Sequence, residues 1–249
     1  MNLSSAVIAD DEILLSVRET RLIVERILLL TDLPRGSVTA VREAILACEG
    51  HGLGALAHLR DDFDNISAMQ PARVFFFEAD GKAELDAKGE HAWAIMPSLV
   101  ELVVEQCRRP VAGQAAGCGT ASLAVHDVRM PAMLAALTPL ALRHQVSLGI
   151  TITDDGALIR GADRSTETSA IAMSSNDLDP FLSRMLREGF HTPRQLWSDL
   201  YHLSNRSLTP DSVVSRRHAG PIIVDENGRV IGRPDDDETD LSLLSQPAA

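Results

Sequence analysis

The apolar residues of this chain keep helical spacing through its first third and switch to strand spacing near residue 74, and no other feature constrains its folding as strongly. Ser16-Val17-Arg18-Glu19 has the Ser-x-x-Glu spacing of a capping box, and Leu22, Ile23, Ile27 and Leu30 follow at helical intervals, so a first helix is expected from about Val17 to Leu30. Leu33-Pro34-Arg35-Gly36 breaks the pattern. Ser37 then stands where a cap belongs for a second helix with Val38, Val41, Ile45 and Cys48 on one face, ended by Gly50 and Gly52. A short third helix is expected from Leu53 to Arg60, with Asp61 to Asn65 as a solvated loop or the start of another short helix. Beyond it, Val74-Phe75-Phe76-Phe77 is an apolar run and Asp80-Gly81 a turn signal, while Ala83, Leu85 and Ala87 alternate with charged residues, which together predict a β-hairpin.

The rest of the chain mixes both periods. Trp93 to Arg108 returns to helical spacing through Ile95, Leu99, Leu102, Val103 and Cys107, with Pro97 expected in its first turn or at a bend. Ser122–Val125 and Ser147–Thr153 read as strands flanking a helix from Pro131 to His144, a βαβ-like unit. Two further helices are expected over Leu178–Gly189 and Arg194–Asn205, with Trp197, Leu200, Tyr201 and Leu208 as core positions. Asn227-Gly228 reads as a hairpin turn between Ile222-Ile223-Val224 and Val230-Ile231. The fold class is therefore mixed α/β: N-terminal helices, then a mixed sheet with packed helices, and not a Rossmann fold. A single compact domain is expected over 1–233, helical over 13–65 and mixed over 72–233, with the acid-rich residues 234–249 as a disordered tail.

Composition excludes several function classes. At a net charge of −12, with scattered Lys and Arg, nothing in the chain attracts nucleic acid or an anionic membrane. No apolar run is long enough to span a bilayer, and Asp10, Asp11 and Glu12 stand where a signal peptide needs a basic and then apolar stretch, so a cytoplasmic protein is expected. Cys48, Cys107 and Cys118 are odd in number and widely spaced, which argues against disulfides and structural zinc, and no metal site is expected. No Gly-x-Ser-x-Gly, His-Glu-x-x-His or P-loop pattern occurs.

The stretch most suggestive of chemistry is Glu49-Gly50-His51-Gly52-Leu53-Gly54-Ala55-Leu56-Ala57-His58-Leu59, which places a titratable imidazole among three glycines. His51 is the candidate catalytic residue, suited to proton transfer near neutrality; the competing reading is a helix-end histidine that only hydrogen-bonds a carbonyl. His51 and His58 are seven residues apart, but Gly52 and Gly54 interrupt any shared helix face and no carboxylate completes a metal set. Gly52-Leu53-Gly54-Ala55-Leu56-Ala57 satisfies the letters of a dinucleotide fingerprint, yet it follows a helix-forming run where that fingerprint needs a strand, so the glycines read as a helix–helix joint. Cys118, between Gly117 and Gly119, is either a reactive thiol or a small residue at a close backbone approach. Ser215-Arg216-Arg217-His218 is a basic patch suited to a carboxylate or phosphate, or else a solvated loop paired with acidic neighbours.

The order Arg35-Gly36, Val41-Arg42-Glu43-Ala44, Gly52-Leu53-Gly54-Ala55-Leu56, and later Trp197-x-x-Leu200, Thr209-Pro210-Asp211-Ser212, Ser215-Arg216 and Ala219-Gly220 before Asp225-Glu226-Asn227, resembles a bacterial family known only as a domain of unknown function. More remotely, two helices, a glycine-flanked histidine, a strand and a helix resemble the start of the type-2 malate/L-lactate dehydrogenases. That resemblance implies a homodimer and a nicotinamide cofactor, NAD or NADP, held outside a Rossmann domain. It maps the family's Asp-Ser-His-Gly onto Glu49-Gly50-His51-Gly52, with His51 in the active site, Gly52 and Cys118 toward the cofactor, and Ser215, Arg216 and Arg217 toward a carboxylate substrate. The departures are specific: Gly50 replaces the serine, Ala55 replaces an arginine, and Gln114-Ala115-Ala116-Gly117-Cys118-Gly119 lacks the second histidine. The chain is also shorter than those enzymes, which predicts a missing part of their substrate domain. Three functions stand open: a dehydrogenase-like oxidoreductase, a non-catalytic ligand-binding or accessory subunit, and a structural interaction protein.

Overall fold

Ser16 starts the fold as its spacing requires. In the computed structural model, which describes residues 11–79, 82–109, 119–164, 179–208 and 225–227, the Ser16 hydroxyl accepts from the Glu19 amide at 3.1 Å while the Glu19 carboxylate accepts from the Ser16 amide at 2.9 Å. That reciprocal cap opens α1, Val17–Leu28, which buries Val17, Ile23, Val24, Ile27 and Leu28 along one stripe. The second helix, α2 (Val38–Gly50), follows a 3-10 turn at Arg35–Ser37 and buries Val41, Ala44, Ile45 and Cys48. Ser37 precedes it without a capping hydrogen bond. Helices α3 (Ala55–Asp61) and α4 (Phe63–Ser67) complete the helical part.

A hairpin opens the sheet where the apolar period changes. Strand β2 (Phe75–Ala79) pairs antiparallel with β3 (Lys82–Asp86), and a short ribbon joins β1 (Glu12–Leu15) antiparallel to β7 (Phe190–Pro193). From β3 the chain crosses over through α5 (Ala92–Arg108) to β4 (Thr120–His126), which lies parallel to β3. From β4 it runs through a 3-10 turn (Pro131–Ala136) and α6 (Leu137–Leu142) to β5 (Val146–Ile152), and β6 (Ala157–Asp163) inserts antiparallel between β4 and β5. The order β2-β3-β4-β6-β5 is a mixed α/β sheet and not a Rossmann sheet. Helices α7 (Pro180–Glu188) and α8 (Arg194–Asn205) follow.

Helices α5 and α6 lie on one face of the sheet, α2 packs on both, and α1 and α3 pack on α2, with α8 against α1 and α3. The core runs through these layers from Val24 and Ile27 to Leu99, Val103, Leu123 and Ile159, all nearly or fully buried. Each such side chain contributes about 1.5–3 kcal/mol relative to exposure. The opposite sheet face shows Phe75, Phe77, Ser122 and Arg160 to solvent. No described helix is long and apolar enough to cross a membrane. The chain divides into two units, Met1–Ser207 and Leu208–Ala249. All elements named here belong to the first; in the second, the Asn227 amide donates to Asp225 Oδ1 at 3.0 Å, closing a turn. The strands expected over 222–224 and 230–231 and the tail 234–249 lie outside the described residues.

Several expectations change. Pro97 sits in the second turn of α5, so the Trp93 carbonyl loses its helical donor there. The helix expected from Pro131 to His144 divides at Ala136 into a 3-10 turn and a short α-helix, after Met130 has taken a left-handed φ of 60°. Tyr201 and Leu208, expected in the core, are 47% and 46% exposed, while Leu200 is fully buried.

Candidate functional site

The loop from α2 to α3 is built by two local devices. At the end of α2 the Gly52 amide donates to the Glu49 carbonyl at 2.8 Å and the Leu53 amide to the Cys48 carbonyl at 3.0 Å, the two bonds of a Schellman closure. Gly52 supplies the left-handed residue that closure needs, with φ 74°, and Gly54 a second at φ 63°. Across the loop, the Glu49 carboxylate accepts from the Leu56 amide at 2.9 Å, serving the open N-terminus of α3. Burial holds Glu49 above the usual carboxylate range, against the pull of the Leu56 and Ala55 amides.

His51 caps the C-terminus of α2 and lies edge-on to the Phe181 ring, with centroids 5.1 Å apart and planes at 72°. Arg184 covers the Phe181 ring at 5.2 Å and donates to the Gly50 carbonyl at 3.0 Å. Phe181 thus holds an imidazole and a guanidinium side by side. They open onto a cleft of about 420 Å³ walled also by Gly52, Met185 and Glu188, within the size of small-ligand sites, roughly 300–1,000 Å³. Partial burial, and then Arg184, lowers the His51 pKa, so the ring is neutral at pH 7. A neutral imidazole beside a fixed cation offers a proton acceptor and a carboxylate clamp.

Gly50 is explained by the same helix. A Cβ there would stand 2.6 Å from Met185 Sδ and 2.9 Å from Phe181 Cζ, so α7 closes onto α2 only because this residue has no side chain.

A second polar cluster lies where the parallel strands β3 and β4 end, the edge at which α/β proteins commonly place sites. His91, fully buried, precedes α5, and its Nδ1 accepts from the Trp93 amide at 3.1 Å. Its Nε2 lies 2.9 Å from His58 Nε2 of α3, and Asp62 Oδ2 is 3.8 Å from the same His58 atom. Arg129, in the loop after β4, bridges to His91 and donates to the Asn65 carbonyl at 3.0 Å. Asp127 and Met130 on either side of it hold left-handed φ values of 52° and 60°, conformations that cost non-glycine residues on the order of 1–3 kcal/mol. Glu90, also buried, accepts from the Gln70 amide at 3.0 Å. Among the described residues the Arg129 Nε–H is buried without a partner, and the Trp93 indole N–H, without an oxygen or nitrogen acceptor, faces the Cys48 sulfur.

Of the candidates read from sequence, the structure brings His51 and Gly52 together at one cleft. Cys118, Ser215, Arg216 and Arg217 lie outside the described residues. The cation it places beside His51 is Arg184, which the sequence did not single out; the only local signal is its position one turn after Phe181 on an amphipathic helix. His91 was missed as well, because histidine is not a preferred N-cap and its partner is 33 residues away. Gly52 and Gly54 send His51 and His58 to different partners, as the broken helix pattern implied. Among the described residues no group of three or more His, Cys, Asp or Glu is placed to hold a metal ion.

The mixed α/β fold with a small polar cleft is thus the class that sequence and geometry define. The sequence matches no family model and no curated protein. Among solved structures, the chain is similar to malate dehydrogenase from Entamoeba histolytica, at 12% sequence identity and a TM-score of 0.43 over 82% of this chain and 71% of that one. It is also similar to sulfolactate dehydrogenase from Methanocaldococcus jannaschii, at 10% identity and a TM-score of 0.43 over 95% of this chain and 86% of that one. At such distances no residue role transfers from either.

Proposed function

We propose that this chain binds a small organic acid in the cleft between the α2–α3 loop and α7, with Arg184 gripping the carboxylate and neutral His51 bonded to a hydroxyl or carbonyl on the adjacent carbon. The observation that supports this is the convergence of an imidazole and a guanidinium on one Phe181 ring at the mouth of a cleft of ligand size. The finer form of the reading is an oxidoreductase acting on a 2-hydroxy acid, as the resemblance to type-2 malate/L-lactate dehydrogenases implies. The described residues do not by themselves fit its nicotinamide cofactor. The cleft has room for a small acid, Gly52 is accounted for by the closure of α2, and Phe181 and Met185 fill the space at Gly50. No step is therefore derived through that cofactor, and the ligand-binding or accessory role is the coarser proposal.

Thermal unfolding with L-lactate, L-malate, NADH and NADPH tests both levels. An acid held at about a hundredfold its Kd stabilises by about 2.7 kcal/mol, a rise of several degrees for a domain of this size. The rise should vanish in Arg184→Ala and shrink in His51→Ala. A response to the acids alone supports the accessory role, and an added response to a nicotinamide nucleotide supports the oxidoreductase. No response to any of the four overturns the reading.

A second copy of the chain is the proposed partner. Edge strand β2 exposes Phe75, Phe76 and Phe77 at 67%, 37% and 50%, and its one charge, Glu78, is neutralised by bonds of 2.7 and 2.8 Å from Arg109, leaving an apolar, unguarded edge. Light scattering should report a dimer that Phe77→Glu dissociates; a monomeric native protein refutes this.

A further inference from the structure

We propose that His58 and His91 form an acid-labile tie between α3 and α5, a single imidazole–imidazole hydrogen bond that exists only while His58 is unprotonated and whose loss loosens α3 around its middle turn. His91 Nδ1 accepts the Trp93 amide N–H, so it carries no proton, and the single proton of a neutral His91 ring is on Nε2. That Nε2–H points at His58 Nε2, 2.9 Å away, and donates to it. His58 Nε2 is then bare, and the proton of neutral His58 is on Nδ1, the tautomer that free histidine populates less.

Adding a proton to His58 sets two N–H groups against each other across 2.9 Å. His91 cannot adapt, because its other nitrogen faces the Trp93 amide and the ring is fully enclosed. The relief open to the pair is movement of His58 toward Asp62, one turn further along α3, whose Oδ2 is already 3.8 Å from His58 Nε2. Asp61 and Asp62 on its own helix favour the charged ring, while Arg129 from the loop after β4 opposes it. His91 and the Trp93 edge, 5.3 Å away centroid to centroid, complete its surroundings from α5. From α8, Asp199 is engaged by Arg60 at 3.2 Å. Burial is the largest influence and holds His58 below the ordinary histidine value, so the tie is intact at pH 7 and yields only on acidification.

Helix α3 is held at its start by Glu49, in its middle by this bond and at its outer end by the Arg60–Asp199 pair. It follows directly on the loop that carries His51. The tie stands or falls independently of any ligand there.

Long-range proton–nitrogen NMR on the full-length, histidine-labelled protein tests the tie. At pH 7.5 His58 should be the Nδ1–H tautomer and His91 the Nε2–H tautomer. As the pH is lowered His58 should show imidazolium shifts before His91 leaves its neutral form, and with that change hydrogen-exchange protection over Leu59–Asp61 should fall about fivefold, the weight of one ordinary hydrogen bond. In His58→Phe that loss of protection should disappear. If His91→Asn folds, His58 should titrate at a higher pH than in wild type, since the donor that favours its neutral form is gone; if it does not fold, the wild-type tautomers alone decide. An Nε2–H tautomer at His58 at pH 7.5, or an unchanged acid response in His58→Phe, overturns the proposal.

Discussion

Burying His91 as a neutral imidazole makes the fold sensitive to acid by a calculable amount. Burial first, then His58 and Arg129, pushes its pKa down to about 3, against about 6.5 in an unfolded chain. Because the folded value is the lower one, neither state holds the proton above pH 6.5 and the contribution of His91 is intact there. Below it the unfolded chain takes up a proton that the native state refuses, and stability falls by about 1.4 kcal/mol per pH unit. The loss is about 2 kcal/mol at pH 5 and about 4 kcal/mol by pH 3, where the folded site itself begins to protonate. A domain has only about 5–15 kcal/mol in total. His51 and His58 are lowered too and act in the same direction. The assay is urea unfolding followed by circular dichroism at several pH values between 7.5 and 5, on wild type and on His91→Asn, whose amide oxygen retains an acceptor for the Trp93 amide. Carboxylate titration is common to both proteins and cancels in the comparison. Wild type should lose about 2 kcal/mol more than the variant between pH 7 and pH 5, and parallel profiles would refute the reasoning.

Gly50→Ser should destabilise the protein by about 1–3 kcal/mol, as overpacking does, since a Cβ there meets Met185 Sδ at 2.6 Å; a melting temperature equal to that of wild type would show that α7 does not close on this residue. Cys48 is fully buried and its thiol is pushed up to about 12, chiefly by burial, so iodoacetamide at pH 8 should leave it unmodified in the native protein and alkylate it in urea; peptide mapping by mass spectrometry reads the result, and native alkylation would contradict the packing of α2 on α5.

What the sequence made legible is what short-range physics determines. Ser16 and Glu19 announce α1 because both partners of the cap lie within one turn, and the hairpin expected here is seen in the pairing of β2 with β3, Asp80-Gly81 themselves lying outside the described residues. Strand β6 was illegible for a tertiary reason. Its core-facing residues are Ala157, Ile159 and Gly161, and two of the three are small, so no apolar alternation stands out. Gly161 is small because a Cβ would lie 2.7 Å from Val103 Cγ1 and 2.8 Å from Cys107 Sγ of α5. Gly119 is glycine for a like reason, since its Cβ would fall 1.9 Å from the Cys107 carbonyl oxygen. The site divided in the same way. The imidazole among glycines was visible as a pattern, whereas Arg184 and the His58–His91 pair depend on which helices meet, which spacing along the chain does not encode.

Gly50 carries the resemblance to the dehydrogenases to its limit. Where the resemblance would place a serine, the space beside residue 50 is filled by Phe181 and Met185. The helix that excludes a side chain at residue 50 is the helix that delivers Arg184 to the Gly50 carbonyl and seats it on Phe181 beside His51. Burial, and then that cation, lowers the His51 pKa and favours the neutral ring, so the proposed acid would meet an uncharged imidazole beside a guanidinium.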